Sequence, residues 1–320
     1  MTEVLVSQLA HVQIFSPRPA ETVEWFRNVL DLEQSGQEGQ SAYLRGWAEW
    51  FQHSVEVTEG PEPGLGHIGW RAQGPGDPDT VARNLPEGEW SDGGFGYGKT
   101  YRFRGPGGHL NELFWEVERY QAPPELATDQ PDRPQALKPR GIAARYIDHV
   151  TIGTDDLARD VAFYKEALKL RHTATIEAEP GFKVFATLTS HVTHEMGLVP
   201  DFSGIRGRVN HLAFGLDQRS DVHTAAQVLM GHDTPIEFGP GIHGIDEITY
   251  LYAREPGGMR IEINAGGWRN YMPDWEAPNW TPAQGGTNIY RTHGMPDSMM
   301  ESFPRTQEAA EQMHATGMFK

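Results

Sequence analysis

Three polar residues interrupt otherwise apolar, strand-like segments in the second half of the chain. They are His149 in YIDHVTIGT (146–154), His211 in RVNHLAFGL (208–216) and Glu262 in EPGGMRIEINA (255–265). Period-two alternation puts His149 on one face with Ile147 and Thr151, His211 with Val209 and Ala213, and Glu262 with Arg260 and Asn264. The opposite faces are apolar, so a curved sheet could bring all three groups to one point. Two imidazoles and one carboxylate, in a chain without cysteine, are the donor set of mononuclear non-haem iron(II) oxygenases. That set leaves coordination positions open for substrate and oxygen. Taken singly, each residue has a plainer reading, since a strand histidine is more often a hydrogen-bonded core or surface group than a ligand. The carboxylate between two isoleucines is harder to dismiss, because burying it unpaired costs several kcal/mol.

The elements that must position these groups occur twice. LAHVQIFS (9–16) alternates like a half-buried strand, and PAETVEWFRNVLDL (19–32) spaces its apolar residues by three and four, with Pro19 near the start of the helix this predicts. YIDHVTIGT is likewise followed by DLARDVAFYKEALKL (156–170), another amphipathic helix. LGHIGWRA (65–72) matches VNHLAFGL (209–216), and each precedes a short helical stretch, DPDTVARNL (77–85) and SDVHTAAQVLM (220–230). RGPGGHLNELFWE (104–116) matches REPGGMRIEINAG (254–266), a Pro-Gly-Gly turn feeding a last strand. Each half therefore reads as two strand–helix–strands units, a duplicated α+β domain. The expected organisation is a first domain at 1–120, a proline- and charge-rich linker at 121–140, a second domain at 141–290 and a tail at 291–320. The tail region is dense in aromatic, proline and methionine residues. It is expected to pack across the second half, with about the last twenty residues mobile.

Composition narrows the partners. A net charge of −17 argues against nucleic acid and anionic membranes. No apolar run reaches the roughly 18 residues of a membrane span, and the first residues show no signal-peptide pattern. The expectation is a cytoplasmic protein acting on a small molecule.

The motifs D-H-V (148–150), N-H-L-A-F (210–214), G-P-G-I-H-G (239–244), Y-L-Y (250–252) and R-I-E-I (260–263) resemble the type I extradiol catechol dioxygenases of the vicinal oxygen chelate superfamily. The resemblance covers about residues 5–290. It implies two tandem domains, each of two βαβββ modules forming a curved mixed sheet around a funnel-like cavity. It implies His149, His211 and Glu262 as ligands of Fe(II), with Mn(II) the alternative that the same hard donors accept. It implies His194 as the acid–base histidine, and His243 and Tyr252 as groups beside the metal. It also implies a catecholic substrate with O2 as co-substrate, and a homo-oligomer. A coordinated diol would ionise near neutral pH, a neutral histidine could take its second proton, and the ring would open next to the diol. His191, three residues upstream, competes with His194, which the H-E-M-G-L pattern favours.

The first half keeps His11, His67 and Glu112 at matching points, with His53 near the place of His194. Aligning the Pro-Gly-Gly turns sets Arg102 at the place of Tyr252 and Gly93 near that of His243, so this set reads as vestigial. His172, His223 and His232 are expected on helix or loop surfaces. Relatives that act on carboxylated catechols clamp the carboxylate with arginines. Here Phe238, and less clearly Gly285 and Gly286, take those places, with Trp268 and Trp275 near in sequence and Arg291 the one counterexample. Phe238, Thr151 and Phe185 are the expected substrate contacts, and the expected substrate is catechol or an alkyl- or aryl-catechol. Two other readings remain: a glyoxalase-like isomerase or lyase, which would need a fourth protein ligand, and a drug-binding resistance module without metal. Oxygen consumption separates the three.

Overall fold

Strand-forming alternation and four short amphipathic helices build two sheets of the same design. The computed structural model describes residues 4–191, 194–267, 269–291 and 294–315. The first half runs β1 (Val6–Ser16), α1 (Pro19–Asn28), β2 (Glu33–Glu38), β3 (Ser41–Arg45), β4 (Val55–Glu59), β5 (Gly64–Ala72), α2 (Asp77–Asn84), β6 (Glu89–Ser91), β7 (Thr100–Arg104) and β8 (Leu110–Phe114). The second runs β9 (Tyr146–Thr154), α3 (Leu157–Ala167), β10 (Arg171–Glu179), β11 (Phe182–Thr189), β12 (Met196–Pro200), β13 (Val209–Gly215), α4 (Arg219–Gly231), β14 (Ile236–Ile242), β15 (Ile248–Arg254) and β16 (Arg260–Gly266). Strand order is β2-β3-β4-β1-β5-β8-β7-β6 in one sheet and β10-β11-β12-β9-β13-β16-β15-β14 in the other, where β17 (Asn279–Trp280) adds beside β10. These are the two βαβββ modules per half that the repeat implied. In each module a helix crosses over so that the first and last strands run parallel, as β1 with β4 and β9 with β12.

The apolar faces pack on the helices. Val150, Ile152, Ile261 and Ile263 belong to one core with Val161, Leu168, Val222 and Leu229, and this core continues into the first half through Phe26, Val12 and Trp70. The halves interlock reciprocally. Phe26 of α1 packs against Phe214 of β13 with ring centroids 6.0 Å apart. Thr22 donates to Glu255 in the second Pro-Gly-Gly turn (2.6 Å), and the Gly107 amide of the first such turn donates to Asp160 of α3 (2.9 Å). Among the described residues no helix is long and apolar enough to cross a membrane.

The tail packs across the second half, as expected, but its described residues to 315 are held in place: Phe303 is fully buried and exchanges backbone hydrogen bonds with Val209 (2.7 and 2.8 Å). A last helix, α5 (Gln307–Ala315), buries Ala309 and Met313 against Phe15 of β1. Burial of these apolar groups holds this part of the tail on the first sheet. The tail is also pinned electrostatically. Arg260, fully buried, donates to Glu237 (Nε–Oε2 2.9 Å), to the Asn210 and Glu301 carbonyls (3.0 and 2.9 Å) and to the Ser298 carbonyl. Arg254 bridges Glu237 and Glu301. Burial opposes charge on Glu237, but Arg260 and Arg254 outweigh it and hold its carboxyl at about 2, against an ordinary 4.5. The folded-state value is depressed, so this contribution is complete above pH 4.5 and is lost as pH falls towards 2. Glu237→Gln leaves Arg260 buried without its counter-ion and should cost about 3–5 kcal/mol. The expected readout is a lower urea midpoint at pH 7, with the gap to the unmodified protein narrowing in acid.

Candidate functional site

The second sheet brings its three donors together on the face opposite the core. Register does this: His149 on β9 faces Ala213 on β13, and Ala213 faces Glu262 on β16. His149 Nε2 and His211 Nε2 lie 3.1 Å apart, and they stand 3.3 and 3.2 Å from Glu262 Oε2. Donors at right angles on bonds of about 2.1 Å to a hard cation would be about 3 Å apart, so the set fits one metal ion. All three residues are buried, and Glu262 Oε1 has no hydrogen-bond partner.

The second nitrogen of each imidazole is fixed by the residue before it in sequence. His149 Nδ1 donates to Asp148 Oδ2 (2.8 Å), which also accepts from Asn264 (3.0 Å). His211 Nδ1 donates to Asn210 Oδ1 (2.8 Å). The Asn210 amide nitrogen donates to the carbonyls of Met299 and Glu301 (3.0 and 3.1 Å), so its oxygen must face the histidine. Both Nε2 lone pairs are thereby aimed at the site, the arrangement of metal-bound histidines. Burial works against charge on His149, but the Glu262 carboxylate and then Asp148 override it and raise His149 to about 9. Burial dominates at His211 and lowers it to about 4. Burial also opposes charge on Glu262, yet the surrounding histidines, His149 first, hold it well below the usual carboxylate range. The cluster thus stabilises a positive charge beside Glu262, and a cation bound there would displace the His149 proton.

The triad forms part of the lining of a cavity of about 300 Å³, with His194, His243 and Tyr252 beside it. The His194 ring lies 4.2 Å from that of His149, and its Nδ1 donates to Asp246 Oδ2 (2.8 Å). A carboxylate can only accept here, so His194 presents an unprotonated Nε2 when neutral. His243 Nδ1 donates to the Thr287 carbonyl (2.6 Å), which leaves its Nε2 to accept from the Tyr252 hydroxyl (3.1 Å). Burial and the nearby Glu262 charge push the Tyr252 hydroxyl well above its usual range, so it stays a donor. His191 is exposed on a different cavity and does not join the group.

Of the expected substrate contacts, Phe185 lines the cavity; Thr151 and Phe238 do not. Thr151 is fully buried against Gly197, whose Cα leaves room for its hydroxyl, with Phe185 on the same side. Phe238 sits behind the site, its ring stacked 6.3 Å from that of Tyr252. Gly286 lines the cavity, whereas Arg291 turns to the Gln284 carbonyl (3.1 Å) and Trp275 to that of Thr173 (2.8 Å). Trp268 lies outside the described residues. His223 and His232 are exposed at α4, but His172 stands half-buried in β10, held to Thr175 (2.8 Å), which corrects its surface placement. The remaining walls are Ile176, Val184, Val199, Ile245 and, from the tail, Met295, Met299 and Met300.

The first sheet gathers His11, His67 and Glu112 in a second buried cluster. His11 Nε2 and His67 Nε2 are 3.0 Å apart, and His53 packs on His11 at 4.6 Å. Glu112 differs in its partners: Arg102 Nη2 is 2.6 Å from Oε1, and the Tyr97 hydroxyl donates to Oε2 (2.7 Å). Gly93, in a left-handed turn, contributes no side chain.

Comparison with known proteins matches this geometry. Residues 146–263 match the Glyoxalase/Bleomycin resistance protein/Dioxygenase superfamily. The chain is 32% identical to a metapyrocatechase of Geobacillus stearothermophilus over 89% of its own length and 90% of the relative's. The chain belongs to the type I extradiol dioxygenases of the vicinal oxygen chelate superfamily. A manganese-dependent 2,3-dihydroxybiphenyl 1,2-dioxygenase of Geobacillus genomosp. 3 is also 32% identical, over 86% of this chain and 90% of that one. Among solved structures, homoprotocatechuate 2,3-dioxygenase of Arthrobacter globiformis superposes with a TM-score of 0.80 at 23% identity, covering 97% of this chain and 96% of that one. This last likeness concerns the fold.

Sequence reasoning overlooked Asp148, Asn210 and Asp246. The first two were visible as the polar residue preceding each histidine of the second half, where the first half has Ala10 and Gly66. Asp246 carried no such signal, because it reaches His194 from a turn 52 residues away. Glu262→Ala should abolish retention of a divalent ion while the fold persists. Elemental analysis of the purified variant checks this, and iron or manganese retained at one per chain would exclude this triad as the site.

Proposed function

We propose that this extradiol dioxygenase opens a catechol bearing an uncharged, apolar substituent, or catechol itself, at the ring bond next to the diol. Both atoms of O2 enter the product, so catechol plus O2 gives 2-hydroxymuconic semialdehyde with no further reductant. The observation that carries the reading is the buried two-histidine, one-glutamate cluster at an apolar cavity, with the His194–Asp246 pair against it. We assign the metal to His149, His211 and Glu262 and take it to be iron(II), with manganese(II) as the alternative, since one relative is named manganese-dependent. When bound, the ion supplies the Lewis acidity that makes a coordinated diol ionise near neutral pH and a template for diol and oxygen.

The protein's own groups do the rest. His194 Nε2 accepts a hydroxyl proton and later returns it. Asp246 keeps the ring in the tautomer that allows this and stabilises the imidazolium. Tyr252 stands on the Glu262 side, and its hydroxyl can stabilise negative charge on a substrate oxygen by turning its one proton from His243 Nε2 to that oxygen. The apolar walls exclude water from this charge movement. A glyoxalase-type isomerase would need a fourth protein ligand, and His243 is already engaged by Tyr252 and Thr287.

Specificity follows from what the walls lack. Among the described residues the lining holds no lysine or arginine. A substrate carboxylate would lose its hydration there without a partner, at a cost of several kcal/mol. Three methionines from the tail give an adaptable wall for an alkyl or aryl group.

Two measurements test this. In a catechol panel followed by oxygen uptake and the yellow ring-fission product, 3-alkyl- or 3-aryl-catechols should exceed 3,4-dihydroxyphenylacetate in kcat/KM by about 100-fold or more. Equal rates would refute the apolar-substituent reading, and no oxygen uptake with any catechol would refute the dioxygenase itself. Asp246→Asn should lower kcat by about 10–100-fold while metal content and KM hold. Loss of metal in that variant would mean Asp246 supports the fold of the site instead.

A further inference from the structure

The two sheets place their donors in the same register. His11 faces Gly69 and Gly69 faces Glu112, as His149 faces Ala213 and Ala213 faces Glu262. The nearest donors of the first cluster, His11 Nε2 and His67 Nε2, are 3.0 Å apart, against 3.1 Å for the second pair. The residue opposite the glutamate differs. Across β7 and β8 Arg102 is paired with Glu112, whereas across β15 and β16 Tyr252 is paired with Glu262.

We propose that the first domain holds a latent site for a hard divalent cation, formed by His11, His67 and Glu112, and that the Arg102 guanidinium stands in for that cation. Glu112 is fully buried, so its charge needs a positive partner. Arg102 supplies it at 2.6 Å from Oε1, and the Tyr97 hydroxyl takes the other oxygen at 2.7 Å. A divalent ion on the same carboxylate would sit against the guanidinium, and like charges at that range in a buried site repel strongly. The imidazoles are correspondingly less prepared. His67 Nδ1 is held by Gln13 Oε1 at 3.2 Å, longer than the 2.8 Å of His211 Nδ1 to Asn210 Oδ1, and His11 follows Ala10, which has no side chain that can orient it as Asp148 orients His149. The domain therefore retains the donors of a metal site and keeps it closed with one internal cation.

The test is a count of metal per chain. Proteins are produced in manganese-supplemented medium, so that the buried site can load during folding, and Mn(II) is measured by elemental analysis on chains shown to be folded by circular dichroism. Arg102→Tyr installs the residue that the second sheet carries at this register, and Arg102→Lys keeps the charge. The unmodified protein and Arg102→Lys should each hold one ion, Arg102→Tyr two, Glu262→Ala none and the Arg102→Tyr, Glu262→Ala double variant one. Thermal unfolding of Arg102→Tyr should become dependent on Mn(II), with the midpoint falling on chelation and recovering on reloading. Two ions in the unmodified protein, or no gain in folded Arg102→Tyr, would overturn the proposal, whereas one ion retained in Glu262→Ala would overturn the second-domain assignment. If Arg102→Tyr does not accumulate, Arg102→Gln is read the same way. The expected single ion of the unmodified protein rests on the second-domain assignment, but the difference between Arg102→Tyr and the unmodified protein isolates the first site. No measurement here depends on turnover.

Discussion

A carboxylate buried at the centre of a sheet must have positive charge beside it, and much of this structure is arranged around that requirement. Glu262 is 1% exposed, and the nitrogens within reach are those of the His149, His211 and His243 imidazoles. Such a cage is poor at neutralising charge unless a cation or a proton joins it. The same requirement recurs at Glu112, where a guanidinium meets it. One duplicated frame has therefore met one electrostatic demand in two ways. Only the way that leaves the donors open to an exogenous ion can do metal chemistry.

The orientation of those donors depends on residues far along the chain. Asn210 aims His211, but Asn210 is itself held by carbonyls of Met299 and Glu301, and Arg260 ties Ser298 and Glu301 to the strand that carries Glu262. The tail is thus part of the scaffold of the His149, His211 and Glu262 cluster as well as a wall of the cavity. Glu195 plays a comparable part next to His194. Its carboxylate accepts from the Ser190 amide (2.6 Å) and from the Leu9 amide of the first sheet (2.9 Å), which ties the residue beside His194 to the other half.

The repeat and the helices were legible in the sequence because they follow from local periodicity, and the donor triad because the resemblance to extradiol dioxygenases singled it out among polar residues on apolar strands. Three or four apolar residues at helical spacing mark α1 and α3, and a polar residue at the middle of an apolar strand marks His149, His211 and Glu262. The residues that failed to declare themselves act through non-local contacts. Asp246 reaches His194 from a left-handed turn between two strands, and nothing in its neighbours distinguishes it from any turn aspartate. Thr151 shows the opposite failure. Alternation set it on the face of His149, yet its side chain is fully buried beside Gly197 of the adjacent strand, with Phe185 on the same side, so being on the correct side of a strand did not bring it to the cavity. Packing of the tail across the second half was legible from its apolar composition, but not the burial of its later part, which single anchors such as Phe303 and Met313 set without periodicity.

The two halves also separate fold from chemistry. Strand order, register and even ligand identity are shared, so none of these can by itself make one half reactive. The differences are small and local: Asp148 and Asn210 against Ala10 and Gly66 before the histidines, Tyr252 against Arg102 opposite the glutamate, and an open apolar cavity lined by His194 and the tail methionines. Each acts on the same quantity, the free energy of placing a cation and then a polarised diol next to a buried carboxylate. Orienting the imidazoles lowers that cost, and a fixed guanidinium raises it beyond what the donors can recover. A dry cavity then lets the charge so created act on a substrate rather than on water. In this reading the metal ligands define where chemistry could occur, and the sign and aim of the groups behind them decide in which half it does.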